Sequence, residues 1–271
     1  MWKEKENNVS ENGKYMQPII FYDFETTDAN PQTCGIHQLS GAVIVQGKVV
    51  ERFNWFIKPK EGCSVNAYAM WLAYKANGFG SVKAMRESDI YEPQDVVYRR
   101  FIDLIVKYSG GVHKDGHPRF DNRAMLGGFN IWKFDNEVFR QWMIDNGDTK
   151  SLGHYVCDAC VDLLLICGPI LGRVIRNVNN MKLKEVAWAL GVEVDKSKLH
   201  SSDYDTEMCI EIYRTLVKKG YLRPMSNEEF FGVHNLEDLN QHDKEHWAEI
   251  SEKKNPNPEQ MTFIENFKED E

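Results

Sequence analysis

The run Ile19-Ile20-Phe21-Tyr22-Asp23-Phe24-Glu25 sets two carboxylates into a segment whose apolar lead-in reads as a buried strand. No other stretch of the chain restricts its fold so strongly. Residues two apart on an extended backbone point the same way, so Asp23 and Glu25 share one face. A buried carboxylate is costly unless it is paired, hydrogen-bonded or bound to metal. Two of them aimed together repel each other, and a divalent cation is the usual relief. Hard oxygen donors of this kind suit Mg²⁺ or Mn²⁺ and not zinc.

Further along, QLSGAVIVQGKVV and ERFNWFIKP read as a hairpin turning at Gln46-Gly47-Lys48. Residues 61–92 form an irregular, partly helical excursion, helical over Ala67–Ala76 and stopped by Asn77-Gly78. Val97, Phe101, Leu104 and Ile105 recur at helical spacing and predict a helix over 94–108. Polar Ser109–Asn122 reads as a loop and Arg123–Asn130 as a strand, with a helix starting near Phe134. Helices at 159–171, 181–190 and 203–219 finish the body. A hairpin-rich start followed by βα units fits a mixed, partly parallel sheet flanked by helices.

Three more residues stand in settings that match the first pair. Asp135 closes the run Asn130-Ile131-Trp132-Lys133-Phe134-Asp135, and His200 precedes Asp205 with H-x₄-D spacing in LHSSDYD. Singly, each has a plain structural explanation. Asp23 and Glu25 could be strand-end and surface acids, Asp135 a helix cap, Asp205 an acid on a helix dipole, and His200 a loop histidine. Their joint occurrence in this order is not explained that way. The set resembles the DEDDh family of 3′→5′ exonucleases, whose motifs are matched by Asp23 and Glu25, by Asn130, Phe134 and Asp135, and by His200 with Asp205. The resemblance runs over residues 17–220 and includes MKLKEVAWALGVEV, similar to the family's lead-in to its third motif. The family's tyrosine variant needs Tyr four residues before the last Asp, where this chain has Ser201. One departure concerns substrate contacts rather than metal binding: relatives often carry His before the Asn, and here the residue is Phe129.

The resemblance implies an α/β, RNase H-like fold and two Mg²⁺ or Mn²⁺ ions held by Asp23, Glu25, Asp135 and Asp205, with Asp23 bridging both. A phosphodiester resists attack because it is anionic and its alkoxide leaves poorly. Two ions about 3.5–4 Å apart neutralise the phosphate, acidify a bound water and stabilise the leaving oxygen. His200 is then the general base, since an imidazole titrating at about 6.5 accepts a proton at neutral pH. Phe24, Thr26, Thr27, Phe129 and Asn130 adjoin the motifs and are the candidate substrate contacts. The rings of Phe24, Phe129 and Trp132 either stack on terminal bases or fill the core. The implied activity releases nucleoside 5′-monophosphates from single-stranded 3′ ends, with DNA favoured. The alternatives are an exoribonuclease of the RNase T or oligoribonuclease kind, and a proofreading accessory subunit that docks a replication partner through its tail.

The 271 residues suffice for one such domain with extensions: an N-terminal tail (1–16), the exonuclease domain (17–225) and an acidic C-terminal extension (226–271). The extension holds 13 acidic and 4 basic residues, while the whole chain has a net charge of −8, leaving residues 1–225 near neutral at +1. A neutral body argues against tight duplex binding through many phosphate contacts. It is compatible with gripping the last few nucleotides in a cleft where metals bring the positive charge. Gln260–Ile264 resembles a sliding-clamp peptide only loosely, and a plain extension accounts for it better. A homodimer is compatible with this reading. No stretch is apolar and long enough to span a membrane, and MWKEKENNVSENGK lacks an apolar signal core, so a cytoplasmic location is expected. The six cysteines show no secreted framework and are expected to be reduced. Cys157-Asp-Ala-Cys160 has no second ligand pair for zinc and reads as core.

Overall fold

The computed structural model describes residues 18–109, 123–172, 181–195, 198–199 and 201–222. With apolar side chains on both faces, Ile19–Thr26 (β1) belongs in the interior of a sheet, and it takes the middle place of five strands. β2 (Ile36–Val45) and β3 (Lys48–Phe56) lie on one side of it, β4 (Met125–Gly128) and β5 (Cys160–Asp162) on the other, in the order β3-β2-β1-β4-β5. β1, β2 and β3 are antiparallel neighbours, whereas β1, β4 and β5 run parallel. The sheet is therefore mixed, as the sequence pattern predicts. The β2–β3 hairpin closes through Gln46 (φ 52°) and Gly47 (φ 74°), the two left-handed residues that a tight turn compatible with strand twist requires.

Eight helices surround the sheet among the described residues: α1 (Ala67–Asn77), α2 (Val82–Glu87), α3 (Gln94–Tyr108), α4 (Asp135–Asp145), α5 (Leu152–Tyr155), α6 (Leu163–Leu171), α7 (Leu183–Leu190) and α8 (Ser202–Lys218). The Asn66 side chain caps α1 by accepting from the Tyr68 and Ala69 amides, and Gly78 ends it in the left-handed region. The short α2 and α5 are absent from the sequence reading. Cys160–Asp162 is a strand that runs directly into α6, so the helix starts at Leu163 and not at 159.

Strand alternation divides the interior into two layers. Ile20, Tyr22 and Phe24 pack with Phe101 of α3 and with Phe139 and Trp142 of α4. Ile19 and Phe21 face the other way, toward Leu163 of α6, Val186 of α7 and Ile212 of α8. Each fully buried large side chain contributes roughly 1.5–3 kcal/mol. Asp23 and Glu25 continue the second face, so the fold carries them toward α8. A smaller cluster of Met70, Ala73, Met85 and Tyr91 lies beneath α1 and α2. All six cysteines are free thiols, and Cys157 and Cys160 are half-buried, not fully enclosed. No described helix is long and apolar enough to cross a membrane. The acidic extension at 226–271 lies outside the described residues.

Candidate active site

Asp135 reaches β1 by way of a tight reversal. Gly128 ends β4 where an added Cβ would clash with Ile131 Cγ2 and lie 2.9 Å from the Tyr22 carbonyl oxygen, so a side chain there would block the chain from folding back. Asn130 then adopts φ 62°. Asp162 holds the turn in place. Its buried carboxylate accepts the Asn130 and Trp132 amides and caps α6 through the Leu164 amide, all at 3.0 Å. Beyond the turn, α4 begins with Asp135, whose Oδ1 accepts the Phe24 amide at 3.0 Å. The neighbouring Asn136 Oδ1 accepts the Tyr22 hydroxyl at 2.8 Å, so α4 is clipped to β1 on both sides of Asp23.

Asp205 arrives from the opposite end of the chain. Ser202 Oγ donates to the Asp23 carbonyl oxygen at 2.8 Å, fixing the first turn of α8 against β1, and Asp205 lies in that same turn. The sequence reading did not pick out Ser202, whose role depends on a partner 179 residues away.

The four carboxylates perturb one another. Burial holds the Asp23 carboxyl well above the ordinary carboxylate range, and Asp135, Glu25 and Asp205 push it further. Burial raises Glu25 as well, reinforced by Asp205 and Asp135. Asp135 is pushed up to about 7 by burial, against the opposing pull of the Phe24 amide. Among the described residues no three acidic, histidine or cysteine side chains are already gathered as a cage for one ion. The donor chemistry nevertheless fits a hard divalent ion: all are carboxylate oxygens, Asp135 buried and Asp23, Glu25 and Asp205 half-buried, where a cation relieves the repulsion. His200 lies outside the described residues; its chain neighbours Leu199 and Ser201 line a groove of about 750 Å³.

Beside the carboxylates the sheet carries a polar strip. Ser40 stands opposite Asp23 and Gln38 opposite Glu25 on β2, and Asn54 stands opposite Ser40 on β3. Asn54 Oδ1 accepts from Ser40 Oγ at 2.9 Å and Gln38 Nε2 at 2.8 Å, while Gln38 Oε1 accepts from Asn77 Nδ2 of α1 at 3.0 Å. The signal for this strip was present in the sequence as Gln38 and Ser40, two polar residues at alternate positions in an apolar strand.

The structure alters the candidate substrate contacts. Phe24 is buried, its ring edge-on to Trp142 and Tyr22, so it does not stack on a base; alternation along β1 turns it away from Asp23 and Glu25. Thr27 is also buried, its hydroxyl donating to the Ser64 carbonyl oxygen and accepting the Gly35 amide, which makes it a loop staple and not a substrate contact. Thr26 is half-buried and donates to the Asp28 carbonyl oxygen. Phe129 packs partly into the second core layer, Asn130 is half-buried in the turn, and Trp132 is exposed.

Three comparisons bear on this arrangement. The fold is similar to that of the zinc-bound E. coli exonuclease I–ssDNA complex, with a TM-score of 0.56, 19% identity, and coverage of 75% of this chain and 41% of that one. E. coli exonuclease I in complex with a dT13 oligonucleotide gives a TM-score of 0.54 at 18% identity, again over 75% of this chain and 41% of the other. In sequence, the chain is 25% identical over 224 residues to the PolC-type DNA polymerase III of Mycoplasmopsis pulmonis (strain UAB CTIP), a match spanning 79% of this chain and 13% of the polymerase. No protein-family model matches. The chain thus covers less than half the length of the proteins it resembles. The likeness shows that the chain shares its fold with E. coli exonuclease I.

Proposed function

We propose that this chain is a DEDDh-type 3′→5′ exonuclease that trims single-stranded nucleic acid, DNA by preference, with divalent cations. The observation that carries the reading is the convergence of carboxylates from β1, α4 and α8, where Asp135, Glu25 and Asp205 add to the burial that raises Asp23, and Asp205 and Asp135 to that which raises Glu25. The resemblance to exonuclease I in complex with single-stranded oligonucleotides supports the substrate class, and the resemblance to a DNA polymerase supports DNA over RNA. The zinc-bound form of exonuclease I supports a divalent ion.

In this reading Asp23, Glu25, Asp135 and Asp205 would hold Mg²⁺ or Mn²⁺, which would supply positive charge to the phosphate and acidify a water. His200 would accept a proton from the attacking water as its oxygen bonds to phosphorus. The bond from phosphorus to the 3′ oxygen of the preceding nucleotide breaks, that oxygen takes up a proton, and a nucleoside 5′-monophosphate leaves. Asn130 and Phe129, in the turn ahead of Asp135, contact the terminal nucleotide.

The test is degradation of 3′- and 5′-labelled single-stranded DNA and RNA with Mg²⁺, Mn²⁺ or EDTA, with Asp23→Ala in parallel. Stepwise shortening from the 3′ end is expected, faster on DNA and absent in EDTA and in the variant. Cleavage that survives EDTA or the substitution would refute the mechanism, and faster loss of RNA would move the substrate to the exoribonuclease alternative.

A further inference from the structure

A surface helix normally turns its polar side to water, and α1 does not. Its inward side carries Met70 and Ala73, while Tyr68, Trp71 and Tyr74 face outward with 67%, 51% and 53% of their surface exposed. An exposed aromatic patch of this size marks a binding surface. Its internal geometry indicates which kind. The rings of Trp71 and Tyr74 lie 6.1 Å apart and 30° from parallel, and Lys75 Nζ sits 4.9 Å from the centre of the Trp71 ring. Near-parallel rings beside an ammonium suit nucleobases together with their phosphates. Ala67–Asn77 contains no acidic residue, although the whole chain has a net charge of −8.

Both ends of α1 are tied to the carboxylate face. The Asn66 amide donates to the Thr27 carbonyl oxygen at 2.7 Å, two residues beyond Glu25, and Asn77 bonds to Gln38, which stands opposite Glu25. Lys75 also lines the groove beside His200's neighbours, where Arg52, Lys75 and Lys198 outnumber Asp203 and Glu207. The aromatic stripe and the groove are therefore continuous through Lys75.

We infer that the outward face of α1 is a stacking platform for the single strand upstream of the 3′-terminal nucleotide. Trp71 and Tyr74 receive bases, Lys75 takes a phosphate, and the strand passes from there to the carboxylates. This rests on the exonuclease reading, and the test separates the two.

Binding of a fluorescent oligonucleotide of about 12 nucleotides to the full chain in EDTA is compared for wild type, Trp71→Ala/Tyr74→Ala and Trp71→Phe/Tyr74→Phe. Turnover of a dinucleotide with Mn²⁺ is measured in parallel. The alanine pair is expected to raise Kd for the long oligonucleotide roughly ten-fold or more while lowering dinucleotide turnover far less, and the phenylalanine pair to restore binding. Equal binding by wild type and the alanine pair overturns the platform and leaves a protein partner as the occupant; failure of the wild type to bind overturns it too. If binding depends on the rings but no polymer is cleaved, the platform stands and the exonuclease reading fails.

Discussion

Asp135→Asn should yield a protein that is more heat-stable than the wild type without divalent ions, and at least about 10³-fold slower with them. Asp135 is buried, and its carboxyl is pushed up to about 7. An unfolded aspartate titrates at about 3.9. The folded, metal-free protein therefore binds more protons than the unfolded chain between those values. Stability is highest below the unfolded value and falls as pH rises through the folded one. At about 1.4 kcal/mol per pH unit, the ceiling on this loss is about 4 kcal/mol. Asparagine is neutral and keeps an oxygen for the Phe24 amide, so it removes the repulsion while preserving the clip.

Thermal melts in EDTA between about pH 5 and 8 would test this. The wild-type Tm should fall with pH, and the Asp135→Asn Tm should fall less, because Asp23 and Glu25 are also raised. For a domain of this size a few kcal/mol corresponds to roughly 5–10 °C. Mn²⁺ should restore the wild type at the alkaline end and affect the variant much less. A wild-type Tm that climbs from acid to alkaline pH in EDTA would contradict the placement of the four charges.

The second large effect is expected at Asp162, which caps α6 and holds the turn ahead of Asp135. Its carboxylate satisfies the amides of Asn130, Trp132 and Leu164 from a position 3% exposed. Asp162→Ala would leave these amides without their acceptor, at a cost of about 1–3 kcal/mol each where water does not replace it. A total loss of roughly 3–5 kcal/mol is expected in urea unfolding. Because the same turn delivers Asp135 to β1, activity below the unfolding transition should also drop, by roughly 10–100-fold as for other residues that orient metal ligands. A variant as stable and active as the wild type would mean that the turn holds its shape without the carboxylate.

The acids of the site were legible because their signals are local. Asp23 and Glu25 stand out in a buried strand, and the spacings around Asp135 and Asp205 lie within a few residues. Alternation along β1 also carried the reason that Phe24 cannot face the site: an odd neighbour of two same-face residues points away. Thr27 was a different kind of misreading. Its hydroxyl partners lie 37 and 8 residues away, and nothing beside it in sequence announces them. Asp162 caps α6 as a residue before a helix can, but its two turn amides are 32 and 30 residues distant, and Ser202's partner is 179 away.

The amino-acid sequence by itself determined the mixed sheet and the longer helices flanking it, and singled out the four acids as candidate ligands, because periodicity and charge are encoded over a few residues. The tertiary structure decided which groups hold those acids together: the Phe24 amide on Asp135, Ser202 on the Asp23 carbonyl oxygen, and Asp162 under the turn. It also decided that α1 turns its aromatic side outward beside the carboxylates. These are close approaches between distant segments, set by how layers pack around β1, and no local pattern specifies them.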